Sequence, residues 1–335
     1  MEHYQPENTN ATSADFTNRI DLKPLHEKIN QIKGEISKVI VSQESMINQL
    51  IVALLSNGHV LLEGVPGVAK TITAKLLAKT IDVGFSRIQF TPDLMPTDIL
   101  GTAVFNVKQT EFEFKKGPIF SNFILIDEIN RAPAKTQSAL FEVMEERQIT
   151  MDGNTYHMEE PFLVIATQNP IEQEGTYRLP EAQLDRFLFK VNIGYPGLQE
   201  EIEIVKKQHQ LHDDNKVDLI NTIISANELK EYQQLIKKII IEEKLLEYIA
   251  QITVNTREHR FLYLGASPRA SIALLNASKG FAALYGRDFV TPDDIKEASN
   301  AVLCHRVILS PEREMEGMKV EEVIQQIVNS IEIPR

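Results

Sequence analysis

Residues 59–71 read HVLLEGVPGVAKT. The apolar run Val60 to Leu62 predicts a buried strand, the turn after it contains two glycines and a proline, and Lys70-Thr71 opens a helix-period segment. A strand, a glycine-rich loop, a Lys-Thr pair and a helix together make the pattern of a phosphate-binding loop. An ordinary strand-turn-helix corner is the alternative, and the correct strand and helix on either side favour phosphate binding.

Each part of this loop has a chemical role in holding a nucleotide. The loop residues are Gly64, Val65, Pro66, Gly67, Val68, Ala69, Lys70 and Thr71. Their backbone N–H groups are expected to face a phosphate chain at the positive end of the helix. Lys70 is expected to reach the β- and γ-phosphates, and the Thr71 hydroxyl to bind Mg²⁺. The general pattern has Gly where Ala69 stands, so we expect Ala69 to have a negative φ.

The composition is typical of a soluble globular chain, with 43% hydrophobic and 24% charged residues among 335. No apolar run is long enough to span a membrane, and the N-terminus lacks a signal-peptide pattern, so we expect no membrane insertion and a cytoplasmic location. The single cysteine, Cys304, fits a reducing compartment, and its simplest role is that of a small buried side chain. The net charge of −12 argues against nucleic acid as the main partner.

Strand patterns alternate with helix patterns in the first part of the chain, which predicts a mostly parallel sheet. Strands are expected at 60–62, 86–90, 122–126, 163–167 and 187–193, and helices at 22–41, 43–57, 134–146 and 198–209. Two hairpins interrupt this alternation. The first covers 103–114 with the loop Lys108-Gln109-Thr110, and the second covers 148–158 with the turn Asp152-Gly153.

The remaining segments complete the predicted domain organisation. Residues 1–20 are polar and aperiodic, which predicts a disordered tail. A nucleotide-binding core is expected at 21–208 and an all-helical lid domain at 209–335, because strand patterns are absent beyond the polar bridge 210–216. Helix starts in this second unit are predicted at the capping box 225–228, at Ser267-Pro268 and at Thr291-Pro292.

Polar residues follow two of the predicted core strands. Asp127 and Glu128 end an apolar strand; beside a phosphate loop the first can hold Mg²⁺ and the second can orient or deprotonate a water. A solvated acid pair is the alternative, and the Lys70-Thr71 loop favours the chemical interpretation. Asn169 follows another strand and suits either a hydrogen bond to the water or γ-phosphate, or a turn cap.

Two arginines complete the set of candidates. Arg186 ends a short helix and could stabilise charge on a γ-phosphate, although pairing with a surface acid is the commoner role of a single arginine. Arg269 lies in the first turn of a predicted helix, where the helix dipole disfavours a cation. That misfit suggests a nearby anion such as a nucleotide, and a tolerated surface position is the alternative.

Six segments together resemble the AAA+ ATPases and, among them, the MoxR family. They are GVPGVAKT at 64–71, FTPD at 90–93, LIDEINRA at 125–132, ATQNP at 166–170, LPEAQLDRF at 179–187 and GASPRA at 265–270. The resemblance runs from about residue 22 to the C-terminus. Ala69 is shared with the family, whereas Ser42 stands where the family usually has Gly. The resemblance implies a P-loop NTPase αβα sandwich, an AAA+ core with helix-2 insert and pre-sensor-1 hairpins, followed by an all-helical lid domain.

The resemblance also implies roles for the candidates, with ATP and Mg²⁺ as cofactors. Lys70 and Thr71 would be Walker A, Asp127 and Glu128 Walker B, and Asn169 sensor 1. Arg186 would be the arginine finger, ahead of Arg178 and Arg131, and Arg269 would be sensor 2. Nucleotide would lie between core and lid, and Arg186 would reach a neighbour's site in a homo-oligomer, a hexameric ring. Similar proteins act as chaperone-like remodellers, often with partners carrying a von Willebrand factor A domain.

Three other functions remain open at this stage. A nucleic-acid motor of helicase type is disfavoured by the net charge of −12 and by the lack of a DNA-binding motif. A nucleotide-gated scaffold with negligible turnover is disfavoured by Glu128 and Asn169. A metal-chelatase motor subunit differs from a general remodeller in its partner, which the sequence does not identify.

Overall fold

The computed structural model describes residues 19–108, 110–151, 153–170, 176–211 and 216–334. Its strands are β1 His59–Gly64, β2 Ile81–Asp82, β3 Phe85–Gln89, β4 Gly101–Asn106, β5 Glu111–Lys116, β6 Phe123–Asp127, β7 Gln148–Met151, β8 Asn154–His157, β9 Leu163–Gln168, β10 Phe187–Ile193, β11 Ile224–Ser225, β12 Leu262–Leu264 and β13 Ile308–Leu309. Its helices are α1 Lys23–Ser37, α2 Glu44–Leu55, α3 Lys70–Lys79, α4 Pro96–Leu100, α5 Ala134–Glu146, α6 Glu181–Leu184, α7 Leu198–Leu211, α8 Ala226–Lys237, α9 Glu243–Glu258, α10 Pro268–Leu284, α11 Pro292–Leu303, α12 Pro311–Met315 and α13 Val320–Ser330.

A five-stranded parallel sheet in the order β10-β1-β9-β6-β3 forms the centre of the molecule. Four of the strands, β1, β6, β9 and β10, are largely buried on both faces, as parallel strands covered by helices are, whereas the edge strand β3 is partly exposed. Successive residues of β1 separate into the two apolar layers, with Val60 and Leu62 in one and Leu61 in the other. This arrangement confirms the predicted α/β sandwich and brings the carboxyl ends of β1, β6 and β9 to one edge.

Both predicted hairpins are present as separate two-stranded sheets, β4-β5 and β7-β8. Gln109 and Asp152, which belong to the predicted turns, lie outside the described residues. The rings of Phe114 in β5 and Tyr156 in β8 stack with centroids 4.5 Å apart, so the two hairpins pack against each other. This contact was not visible in the sequence because the two residues are far apart along the chain.

The C-terminal region is built mainly from α8 to α13, and the three predicted helix starts are confirmed. The Ser225 hydroxyl accepts a hydrogen bond from the Glu228 N–H, and Pro268 and Pro292 occupy the first turns of α10 and α11. The predicted helical unit is confirmed, and the structure adds three short strands to it that the sequence did not predict. β11 pairs with β2 of the core, and β12 pairs with β13. Strands of two or three residues are too short to give a periodic signal.

The helical region packs directly on the core. Phe281 of α10 meets Phe189 of β10 with ring centroids 6.2 Å apart, and the Gln233 amide donates to the Leu54 carbonyl over 2.7 Å. The predicted boundary between 208 and 209 falls within α7 and stays a prediction. Residues 1–18 of the predicted tail lie outside the described residues, whereas Arg19 forms an ion pair of 2.8 Å with Asp288. No helix in the described ranges is long and apolar enough to cross a membrane.

Candidate nucleotide site

The loop between β1 and α3 has the backbone that a phosphate cradle requires. Gly67 has a φ of +87°, a left-handed conformation that favours glycine. A Cβ on Gly64 would lie 2.7 Å from the Ile193 carbonyl oxygen, so the close approach of β10 also requires glycine. The first N–H groups of α3 lack carbonyl partners inside the helix and therefore suit an anion.

Ala69 contradicts the expectation of a negative φ, because its φ is +62°. The residue directly precedes α3, and its carbonyl accepts both the backbone N–H of Thr73 at 3.0 Å and the Thr73 hydroxyl at 2.9 Å. Closing the loop onto the helix imposes this conformation, at a cost of roughly 1–2 kcal/mol for a residue with a side chain. Local strain of this kind is characteristic of ligand-binding loops.

Lys70, Thr71 and Asp127 come together where β1, β6 and β9 end. The Lys70 ammonium donates to the carbonyls of Gly64 and Gln168, the second over 3.3 Å. The Thr71 hydroxyl donates to Asp127 Oδ1 over 3.1 Å, so a hydroxyl and a carboxylate oxygen are adjacent. Hard oxygen ligands of this type fit Mg²⁺. Arg87 contacts the other carboxylate oxygen of Asp127 over 2.6 Å.

Glu128 is held by neighbours that sequence reasoning did not assign to the site. Its carboxylate Oε2 accepts from Arg131 Nε at 2.7 Å and from the Gln89 amide at 3.1 Å. Its backbone is left-handed, with a φ of +58°. Asn169 is buried and lines the same cavity as Lys70, Thr71, Asp127 and Glu128.

Arg87 and Gln89 lie on β3, next to β6 in the sheet. The sequence offered one indication, since the two residues alternate on a short strand and so lie on the same face of it. Only the pairing of β3 with β6 shows that this face lies beside Asp127 and Glu128. Asn169, Asp127 and Glu128 are therefore gathered as predicted, and β3 adds two residues that orient the acids.

A second cavity of about 450 Å³ continues from the phosphate loop. It shares Pro66, Gly67, Ala69 and Ile72 with the phosphate cavity and extends to Val39–Val41, Tyr195 and Ile204. Gln43 closes one side, and its amide donates to the Val68 carbonyl over 3.0 Å. Ser42 has a φ of +60°, which explains physically why glycine suits that position. An apolar cavity beside a phosphate cradle fits a purine base.

Arg186 and Arg269 lie in a different cavity, of about 310 Å³, with Glu145 between them. Arg269 Nη2 contacts Glu145 Oε1 over 2.6 Å, and Arg186 pairs with Glu145 Oε2. Arg186 Nε is buried without a hydrogen-bond acceptor. This arginine cavity shares no lining residue with the two cavities at the phosphate loop. Arg269 therefore does not line the cavities at the phosphate loop of its own chain, because α10 begins at the end of β10 that lies away from that loop. Its role as sensor 2 stays a prediction.

His59 connects β1 to the arginine cavity, which it also lines. The buried imidazole accepts from the Val164 N–H at Nδ1 over 3.0 Å and faces the Met144 carbonyl with Nε2 over 3.1 Å. This arrangement requires the neutral ring with its proton on Nε2. Burial is the main reason that the pKa of His59 is lowered to about 4. His59 thus links β1, β9 and the end of α5, which carries Glu145.

Comparisons with known proteins identify the family to which this chain is similar. Residues 59–189 match the family model of the ATPase family associated with various cellular activities (AAA), and residues 254–327 match the AAA lid domain. The protein YeaC of Bacillus subtilis is 44% identical, over 92% of this chain and 96% of its own. Chaperone MoxR1 of Mycobacterium tuberculosis is 44% identical, over 90% of this chain and 81% of its own.

A solved structure from Cytophaga hutchinsonii, described as an ATPase, superposes with a TM-score of 0.86 at 44% identity. The superposition covers 94% of this chain and 97% of that one. The fold of this chain therefore agrees with that of the solved structure over nearly the whole length of both.

Proposed function

This chain belongs to the AAA+ ATPases of the MoxR type, and we propose that it hydrolyses ATP and uses the cycle to remodel partner protein complexes. The described geometry supports a position for each part of the nucleotide. The base occupies the cavity at Val39–Val41, and the phosphates lie on residues 64–71. Lys70 neutralises the β- and γ-phosphates, and Thr71 and Asp127 would hold Mg²⁺. When bound there, Mg²⁺ would supply charge neutralisation to the phosphate oxygens.

Glu128 and Asn169 act on the attacking water in this proposal. The Glu128 carboxylate is oriented by Arg131 and Gln89, and Asn169 lies in the same cavity. A carboxylate that accepts the proton of a positioned water contributes typically 10²–10⁴-fold in rate. Asn169 contributes by holding that water or a γ-phosphate oxygen in line.

The main support for action between subunits is that Arg186 and Arg269 share a cavity that is separate from the phosphate loop of their own chain. Two arginines bridged by a single exposed carboxylate can exchange that partner for a phosphate. We therefore assign both to the nucleotide of a neighbouring subunit. A contact between different surfaces of identical subunits can close into a ring, and we propose the hexamer.

The test is a mixing experiment on ATP hydrolysis. Arg186→Ala protein is expected to bind ATP normally and to hydrolyse it about 10³-fold more slowly, since an arginine supplied in trans contributes about 10³–10⁵ in rate. Adding Lys70→Ala protein restores activity, because mixed rings contain an intact loop facing an intact Arg186. Activity independent of protein concentration, without rescue on mixing, contradicts action in trans.

Binding and chemistry are separated by a second pair of variants. Lys70→Ala is expected to lose ATP binding, because it removes the charge on the β- and γ-phosphates. Glu128→Gln is expected to keep ATP affinity and to lose about 10²–10⁴-fold in phosphate release. Calorimetric titration and a phosphate-release assay measure the two effects. An equal loss of affinity in both variants contradicts the assigned roles.

A protein client is favoured over the other functions. A relative at 44% identity is described as a chaperone, and the net charge of −12 disfavours a nucleic-acid track. Val107 and Phe112 near the end of the β4-β5 hairpin are 80% and 73% exposed, which suits contact with another protein. Capture of partners on Glu128→Gln protein with ATP tests this assignment. A von Willebrand factor A domain protein is the expected client, and specific retention of a metal-insertion complex favours the chelatase alternative.

A further inference from the structure

Arg306 lies three residues after the end of α11. All five of its N–H donors are used where this part of the chain packs against residues 185–188. Its side chain is 3% exposed. Nε donates to Asp185 Oδ1 over 2.7 Å, and Nη2 donates to the carbonyls of Asp185 and Phe187 over 3.0 and 2.6 Å. Nη1 donates to the Leu188 carbonyl over 3.2 Å and to the carbonyl of Val302, which lies in the last turn of α11. Four of the five bonds therefore end on residues 185–188.

The segment that Arg306 holds is the segment that carries Arg186. Arg306 binds the carbonyls on both sides of Arg186, those of Asp185 and Phe187. His305 adds a second contact to the Phe187 carbonyl, over 3.0 Å at Nε2. His305 and Arg306, shortly after the end of α11, thus hold the backbone from which the Arg186 side chain projects.

The hydrogen bonds around Asp185 also extend to the start of α10. The second carboxylate oxygen of Asp185 accepts the Ser267 hydroxyl over 3.0 Å, and Ser267 directly precedes α10. Arg269 stands two residues further on. Asp185 therefore contacts Arg306 and Ser267 at once, and the positions of Arg186 and Arg269 are set by one hydrogen-bonded unit.

We propose that Arg306 is a positioning residue which, through Asp185 and Ser267, holds Arg186 and Arg269 as one rigid pair directed at the neighbouring subunit's nucleotide. This inference rests on the proposed action of Arg186 in trans. A planar guanidinium can donate along five fixed directions, whereas a lysine ammonium cannot reproduce that fork. When the helical region moves, both arginines then move together. The position of the helical region is thereby coupled to ATP hydrolysis in the next subunit.

Arg306→Lys is the first variant, because it keeps the charge beside Asp185 and removes the fork. A displacement of about 1 Å in a reacting group costs about 10²-fold, so we expect kcat to fall about 10²-fold while KM for ATP stays within about twofold. Arg287→Lys is the matched control. Arg287 makes a bidentate pair with Asp294 in the helical region, and its bonds do not involve residues 185–188. We expect the control to lower thermal stability and to keep kcat.

Mixing distinguishes positioning from general damage. Arg306→Lys has an intact phosphate loop and misplaced arginines, so Lys70→Ala protein should rescue it and Arg186→Ala protein should not. Rescue by both partners, or a full kcat in Arg306→Lys alone, overturns the inference. If Arg186→Ala is not rescued by Lys70→Ala, the proposed action in trans fails. If that pair is rescued and Arg306→Lys with Lys70→Ala is not, only the inference about Arg306 fails.

Ser267→Ala keeps the test decisive if Arg306→Lys does not fold. The hydroxyl is partly exposed, and its loss removes one bond to Asp185 and leaves the Arg306 pair intact. We expect kcat to fall about 3- to 10-fold, with the same pattern of rescue by Lys70→Ala and none by Arg186→Ala. An unchanged kcat, or rescue by both partners, overturns the link through Ser267.

Discussion

Replacing His59 with glutamine is expected to reduce the loss of unfolding free energy that the protein undergoes as the pH falls below neutral. The His59 pKa is lowered from 6.5 to about 4, because the ring is buried between Val164 and Met144 and lies near the Arg147 charge. As pH falls below 6.5, the unfolded chain takes up a proton on His59 while the folded chain does not. Stability therefore decreases with falling pH until about 4, where the folded state also binds the proton.

The size of the effect follows from the two pKa values. Between pH 7 and pH 5, the difference in proton binding by His59 amounts to about 2 kcal/mol of unfolding free energy. Wild-type protein should lose this amount in addition to contributions from its other groups. The pKa of the buried His305 is also lowered by burial, so His305 also reduces the unfolding free energy as the pH falls. Wild-type protein and the His59→Gln variant both contain His305, so this contribution cancels from the difference between them.

Urea unfolding at the two pH values measures the difference. His59→Gln is expected to lose about 2 kcal/mol less than wild-type protein between pH 7 and pH 5, whatever its stability at pH 7. His305→Gln is a parallel variant in which a smaller loss is also expected. An identical pH dependence in wild-type and His59→Gln protein would refute the neutral, buried assignment of His59.

Two further predictions concern the arginine cavity and the loop. Arg269→Ala should keep its ATP affinity and lose kcat, and its activity should be rescued by Lys70→Ala protein but not by Arg186→Ala protein. A loss of ATP affinity in Arg269→Ala protein alone would show that Arg269 contacts the nucleotide of its own chain. Ala69→Gly should raise the unfolding free energy by about 0.5–1 kcal/mol, because relief of a left-handed Ala outweighs the added chain entropy of Gly. The control is Ala78→Gly inside α3, which should lower it by about the same amount or more. A lower urea midpoint for Ala69→Gly contradicts the strain argument.

Most of the core could be predicted because its signals are local. The apolar runs at 123–126, 163–166 and 187–191 mark strands buried on both faces, and the loop at 64–71 marks the phosphate cradle between a strand and a helix. α5 and β10 have the predicted bounds. The capping box at Ser225 and Glu228 locates the start of α8 for the same reason, since its hydrogen bonds span three residues.

The sequence by itself therefore determined the αβα core, the phosphate loop, the acids at the end of β6 and the family resemblance, since each depends on neighbouring residues in the chain. Only the tertiary structure decided which groups face one another. It brought Arg87 and Gln89 of β3 to Asp127 and Glu128, and it placed Arg269 beside Arg186. Such pairings depend on strand order and on packing of the helical region, in which contacts between distant residues fix positions that no local pattern encodes.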